Sequence, residues 1–217
     1  MALYLTKQEF QVRAGSAARF EAFADALFGV MEKQGGILRA DNLNSLGYPT
    51  KYAILALWES RDDARAFGRS SRLTQLLAET SPQEIATPLT SIEAFEVVHR
   101  VGGGGPAKVG YVIDQKAEGD SRAVQAYEAA RLKLFELRKQ HGQGFAFNVL
   151  ARWLGGGNRY LVVGAFSDAE SEAATAAKSE LLQYWKDYGP ASIPISLESR
   201  EPYEFVKVAG SKPLPEE

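Results

Sequence analysis

The chain contains no cysteine, which excludes a disulfide, a thiolate metal site and a cysteine nucleophile. That absence is compatible with a reducing compartment. Histidine is nearly absent too. Only His99 and His141 occur, and neither stands among carboxylates at metal-ligand spacing, so no metal site is expected. There is no Gly-x-Ser-x-Gly nucleophile elbow. An excess of one charge is also missing: 25 lysines and arginines face 27 aspartates and glutamates, and a formal net charge of −2 leaves no basic footprint for nucleic acid. No apolar run approaches the roughly 18–20 residues of a membrane span. The segment Met1–Lys7 lacks a basic region ahead of an apolar core, so no signal peptide is read there and a cytoplasmic location is expected.

What is present is glycine, gathered in Gly102-Gly103-Gly104-Gly105-Pro106. Glycine loses the most backbone entropy on ordering, and proline fixes φ and removes a donor, so this stretch marks a break. A phosphate-binding loop would need a helix opening directly after the glycines. Lys108–Lys116 reads as another strand instead, so the stretch is read as a joint. On either side the chain repeats. Residues n and n+108 align without a gap from Gly36 to Val98, with identities such as Gly47/Gly155, Tyr52/Tyr160, Leu73/Leu181, Pro82/Pro190 and Glu96/Glu204. The first helix is offset by one residue, placing Phe20 opposite Tyr127 and Leu27 opposite Leu134. Two copies fall short of the roughly three a solenoid needs, so a pseudo-two-fold pair is the natural reading.

In the first half, Leu3–Arg13 reads as a strand. Ser16 is placed to cap a helix carrying Phe20, Phe23, Leu27 and Met31 at helical spacing, which Gly35-Gly36 ends. Strands follow at Ile37–Asn44 and Lys51–Trp58. Ser60 can cap a helix with Asp62 and Asp63 in its first turn, and short helical pieces run through Arg72–Glu79. Pro82 and Pro88 hold an irregular crossing before a fourth strand, Ser91–Val101. The second half repeats this order, ending in Pro202–Val208. The expected fold is therefore α+β, each half a ferredoxin-like β-α-β-β-α-β unit with helices on one face of a four-stranded sheet. Two such sheets packed face to face would enclose a space. The domains are read as 1–101, a Gly-rich linker at 102–107, 108–210, and a disordered tail at 211–217.

The run Tyr52-Ala53-Ile54-Leu55-Ala56-Leu57-Trp58-Glu59-Ser60-Arg61, an apolar strand ending in Trp-Glu-Ser-Arg before a short acidic helix, resembles the antibiotic-biosynthesis-monooxygenase family of dimeric α/β barrels. Tyr160–Asp168 is a weaker copy. The resemblance implies a tandem pseudo-dimer that closes its barrel within one chain, any further homodimer being secondary. It implies a cofactor-independent, monooxygenase-like protein acting on a small apolar or partly aromatic molecule in the cavity between the sheets. A non-catalytic ligand-binding or structural barrel protein is the alternative. Related members that cleave haem carry a histidine ligand about ten residues after the tryptophan, where this chain has Gly68 and, in the second half, Ala176. No cofactor is therefore expected.

Strand alternation puts Tyr52, Ile54, Ala56 and Trp58 on one face of their strand and Ala53, Leu55 and Leu57 on the other. The aliphatic set suits packing under helices. The set with aromatic polar handles suits a cavity wall, with Tyr160 and Phe166 as equivalents, although plain core packing accounts for both faces equally. Glu96 and Glu204 recur at one place on the fourth strand. A carboxylate facing an apolar space could act as a base, whereas a solvated edge or a salt bridge is the bland alternative. Asn42, Asn44, Asn148 and Arg152 lie on the second strands, where they could orient a substrate oxygen or stay turn-adjacent polar residues. Glu96, Asn42 and Arg152 are thus the catalytic candidates, and Tyr52, Trp58, Tyr160 and Phe166 the substrate-binding ones.

Overall fold

The computed structural model describes residues 2–102, 105, 107–188 and 195–209. Residues 103, 104 and 106 of the expected linker lie outside these, as does the expected tail. The chain is a mixed α+β protein of ferredoxin type with two repeats. The first contains β1 (Tyr4–Val12), α1 (Ala17–Gln34), β2 (Ile37–Ser45), β3 (Lys51–Trp58), α2 (Arg61–Gly68), α3 (Ser71–Thr80), a 3-10 turn at Pro82–Glu84, β4 (Ala86–Pro88) and β5 (Glu93–Val101). The second contains β6 (Val109–Ala117), α4 (Ser121–His141), β7 (Phe145–Trp153), β8 (Arg159–Phe166), α5 (Ala169–Ala176), α6 (Ser179–Tyr188) and β9 (Ile195–Ala209).

Local chemistry sets most of these boundaries. Gly35 and Gly36 end α1 at φ +85° and +73°, a region L side chains rarely adopt. Ser60 Oγ accepts from the Asp63 amide at 3.1 Å and starts α2. Ser70 does the same for Leu73 at 3.2 Å, which makes one ten-residue helix of what the sequence suggested as short pieces. Ser16 differs from expectation. It sits at the start of α1 with φ −103° and ψ 7°, and its side chain makes no capping bond.

The compact units do not follow the repeat boundary. The first comprises residues 2–94 and 204–209; the described residues between 95 and 203 form the second. In the first unit β2, β3, β1 and β4 lie side by side in that order, and in the second β6, β8, β7 and β5 do; β9 neighbours β2 and β6, its residues 204–209 belonging to the first unit and 195–203 to the second. Each repeat's last strand therefore also serves the other repeat's sheet. Phe95↔Trp153 to Val101↔Asn148 is the antiparallel register of β5 on β7. Gly102 follows at φ +99°, where an added Cβ would stand 2.9 Å from the Phe147 Cα, so glycine permits this close approach.

In the first unit Phe20, Phe23, Leu27 and Met31 of α1 pack on Tyr52, Ile54, Ala56 and Trp58 of β3. The face reading is thus reversed: the aromatic-bearing set lies under the helices, and Ala53, Leu55 and Leu57 occupy the opposite, equally buried face. Alternation separates two faces without saying which the helix covers, and the phenylalanine stripe of α1 takes the side with the larger side chains. The aliphatic face carries charge as well. Lys7 Nζ meets Glu9 at 3.0 Å and Glu93 at 3.5 Å, and Lys51 meets Glu9 at 3.2 Å. Arg39 Nε reaches both Asp41 oxygens at 2.9 and 2.8 Å. Burial pushes the Asp41 carboxyl upward in pKa against the pull of that guanidinium.

Candidate functional site

A cavity of about 450 Å³ lies inside the first unit, between its sheet and its own helices. This cavity lies beneath α1, on the face of β3 that carries Ile54, Ala56 and Trp58. Its floor is three strands wide. Register pairs Thr6 with Ala56 and Gln8 with Ile54, so Thr6, Gln8 and Phe10 of β1 face the same way as Ile54, Ala56 and Trp58 of β3. Ala86 and Pro88 of β4 extend the floor. The roof is Phe23, Leu27 and Met31 from α1, Ala64, Phe67 and Gly68 from α2, and Leu73 and Leu77 from α3. Pro82, Gln83 and Ile92 stand at the rim. Small residues leave the room: Thr6, Ala56, Ala64 and Gly68 occupy places where larger side chains would fill it.

The walls are apolar and their polar groups are largely engaged. Trp58 is 1% exposed, its ring 5.2 Å from that of Phe67. Its Nε1 donates to Thr6 Oγ1 at 3.2 Å, and Thr6 Oγ1 donates to the Ala56 carbonyl at 3.4 Å. Among the described residues the Gln8 side chain makes one long hydrogen bond, from Nε2 to the Thr90 carbonyl at 3.5 Å. Lys7 is the only lining residue with an ionisable side chain, and that side chain leaves on the opposite face of the sheet, beside Leu55, where Glu9 and Glu93 hold it. A general base must stand within hydrogen-bond reach of the proton it takes. The lining supplies no carboxylate, imidazole or phenol for that work.

Among the described residues, side chains fill the equivalent place in the second unit. Register places Tyr111 opposite Gly164, the counterparts of Thr6 and Ala56. Tyr111 is 3% exposed and lies over Gly164, where an added Cβ would fall inside the phenol and 2.7 Å from Asn148 Nδ2. Arg138, the counterpart of Met31, donates to the Tyr111 hydroxyl and to Asn148 Oδ1 at 3.3 Å, its guanidinium 5.3 Å from the ring centre. Trp185, the counterpart of Leu77, takes the Arg131 guanidinium at 5.5 Å. A pocket of about 10 Å³ lies between α4 and α6, bounded by Tyr127, Arg131, Tyr184 and Trp185 among others.

Of the seven residues singled out from the sequence, Trp58 lines the large cavity. Tyr52 lies in the same core but donates its hydroxyl to Glu21 at 3.0 Å. Burial and Glu21 push that phenol up to about 12. Tyr160 repeats the arrangement with Glu128 at 2.6 Å, its phenol likewise pushed up to about 12 by burial and by Glu128. Arg152 joins this pair, bonding Glu128 and, at 3.3 Å, the Tyr160 hydroxyl. Glu128 raises the pKa of its guanidinium. Glu96 stands opposite Arg152 in the β5–β7 register. Phe166 is core, edge-on to Phe145 at 6.1 Å. Asn42 is 1% exposed opposite Ile54, and neither polar atom of its side chain has a partner among the described residues. The structure thus brings Arg152 and Tyr160 together and leaves Glu96, Asn42 and Arg152 outside the cavity lining. Thr6, Gln8 and Met31 were not foreseen. A comparison of the repeats by element would have signalled two of them, because Thr6/Tyr111 and Met31/Arg138 differ sharply in size and polarity.

Solved structures share this fold at low identity. A Fusobacterium nucleatum protein known as a "putative monooxygenase" superposes with a TM-score of 0.78 at 10% identity, over 98% of this chain and 96% of that one. A Lactobacillus acidophilus protein known by the same words gives 0.74 at 9%, over 99% of both chains. An anthrone oxidase-like protein gives 0.61 at 14%, over 98% and 95%. At such identities the likeness concerns the fold alone. No curated protein matches the chain by sequence. In the described residues no group of histidine, aspartate and glutamate could hold a metal, and no helix is long and apolar enough to cross a membrane. Residues 4–78 match the family model for antibiotic biosynthesis monooxygenase. That span runs from β1 into α3 and holds the cavity lining from Thr6 to Leu77, so the likeness to the antibiotic biosynthesis monooxygenase family lies in the first repeat.

Proposed function

We propose that the first unit is a monooxygenase-like module that binds a small, neutral, largely apolar and partly aromatic molecule beneath α1. The observation that carries this reading is the cavity of about 450 Å³, within the usual range for small-molecule sites, whose one ionisable lining residue turns its side chain to the opposite face of the sheet and onto two carboxylates. An ionised ligand would be desolvated there without a counter-charge. Isothermal titration with 2-methylnaphthalene tests the reading. Saturable binding of one equivalent is expected, and its absence, together with failure of larger apolar aromatics, would defeat it.

The family match favours a finer reading, cofactor-independent oxygenation. With no base in the lining, the substrate must release its own C–H proton to water. Anthrone has such a C–H, and its oxidation balances as anthrone plus dioxygen giving anthraquinone plus water. Oxygen uptake and anthraquinone formation above the uncatalysed rate support catalysis. Binding without turnover supports a carrier.

A further inference from the structure

The two units answer each other position by position, and the closed one shows how the open one is filled. In the second unit a phenol ring, that of Tyr111, lies over Gly164 beneath α4. In the first unit the same place, over Ala56 and beneath α1, is part of the cavity because Thr6 replaces the tyrosine. Building on the proposal above, we infer that the ligand's aromatic ring sits over Ala56, in the seat that Tyr111 fills over Gly164. The ring's inner end carries no polar group.

The second clause follows from the surroundings of each seat. The Tyr111 hydroxyl is met by Arg138, which also bonds Asn148, and the ring is flanked by the guanidinium of Arg200 at 5.6 Å. Their counterparts to Arg138 and Asn148 in the first unit are Met31 and Ala40, which donate nothing. A hydroxyl in that position would be buried without a partner, whereas a thioether against an apolar ring edge is favourable. The ligand's polar atom, if it has one, is turned toward Gln8, one cross-strand pair further along the floor.

The test uses the full chain and 2-methylnaphthalene as probe, read by isothermal titration. Thr6→Phe with Ala56→Gly fills the seat with a ring whose inner end is apolar, and saturable binding should vanish while the chain still unfolds in one cooperative melting transition. Ala56→Leu fills the seat from the floor with a single change and should also remove binding, which keeps the inference testable if the double variant does not fold. Met31→Arg restores the missing donor and should raise the affinity for 2-naphthol relative to 2-methylnaphthalene roughly tenfold. Parent-like binding by a folded seat-filling variant would overturn the ring position, and an unchanged affinity ratio in Met31→Arg would overturn the apolar inner end. Failure of the parent itself to bind any aromatic probe would instead bring down the proposed function on which the inference rests.

Discussion

Replacing Trp58 with phenylalanine perturbs the cavity wall and little else. Trp58 is 1% exposed, and its indole N–H spends itself on Thr6 Oγ1 at 3.2 Å. The smaller ring loses roughly 40 Å² of buried apolar surface, about 1 kcal/mol, and the lost hydrogen bond costs about 1 kcal/mol more. Thr6 still donates to the Ala56 carbonyl, so no buried group is orphaned. A loss near 2 kcal/mol lowers the Tm by roughly 4–8 °C in a chain of this size and leaves a protein of ordinary stability folded. The indole also forms part of the cavity wall. Its truncation should weaken an aromatic probe by about 1 kcal/mol, roughly fivefold in Kd. Phe166→Leu is the control in the other unit. It trims a core ring 2% exposed and edge-on to Phe145, at a cost of about 1 kcal/mol in stability. Probe affinity should be unchanged. Calorimetric titration of both variants beside the parent decides it: a larger affinity loss in Phe166→Leu than in Trp58→Phe would refute the placement of the site.

Other outcomes follow from the same geometry. Gly68 lines the cavity where haem-binding relatives would present a histidine, so hemin titration should give no saturable Soret shift at one equivalent. Tyr52 has a folded pKa raised to about 12 by burial and Glu21, so its contribution to stability is complete below pH ~10, the phenol's unfolded value, and is lost as pH rises toward 12. Chemical denaturation between pH 9 and 12 should then show a shallower alkaline fall in Tyr52→Phe than in the parent. Asn42 buries an amide with no partner among the described residues, so Asn42→Val should raise stability by about 1–2 kcal/mol in denaturant titrations; a clear loss would mean that the amide is satisfied.

By itself the amino-acid sequence determined the repeat, the order of elements and the family resemblance of the first half. Those features are local or collinear. Ser60 and Asp63 are three residues apart, Gly35-Gly36 ends a helix by its own backbone freedom, and a gap-free register needs no third dimension. Trp58 was legible for the same reason, as the end of an apolar strand before a capped helix. Which sheet received each fourth strand was not legible. Backbone pairing is indifferent to side-chain identity, so β5 carries no local mark that sends Phe95–Val101 to β7. The face of β3 that meets the helices was undecided too, since alternation is symmetric until α1 lays its phenylalanines on one side. Above all, only the tertiary structure decided where the first unit is hollow. The deciding pairs, Thr6/Tyr111, Met31/Arg138 and Ala56/Gly164, sit on three elements with three different offsets between the repeats, and no single alignment register collects them. Cavity volume is what side chains from distant strands and helices leave unfilled, a sum that exists only once the chain has brought them together.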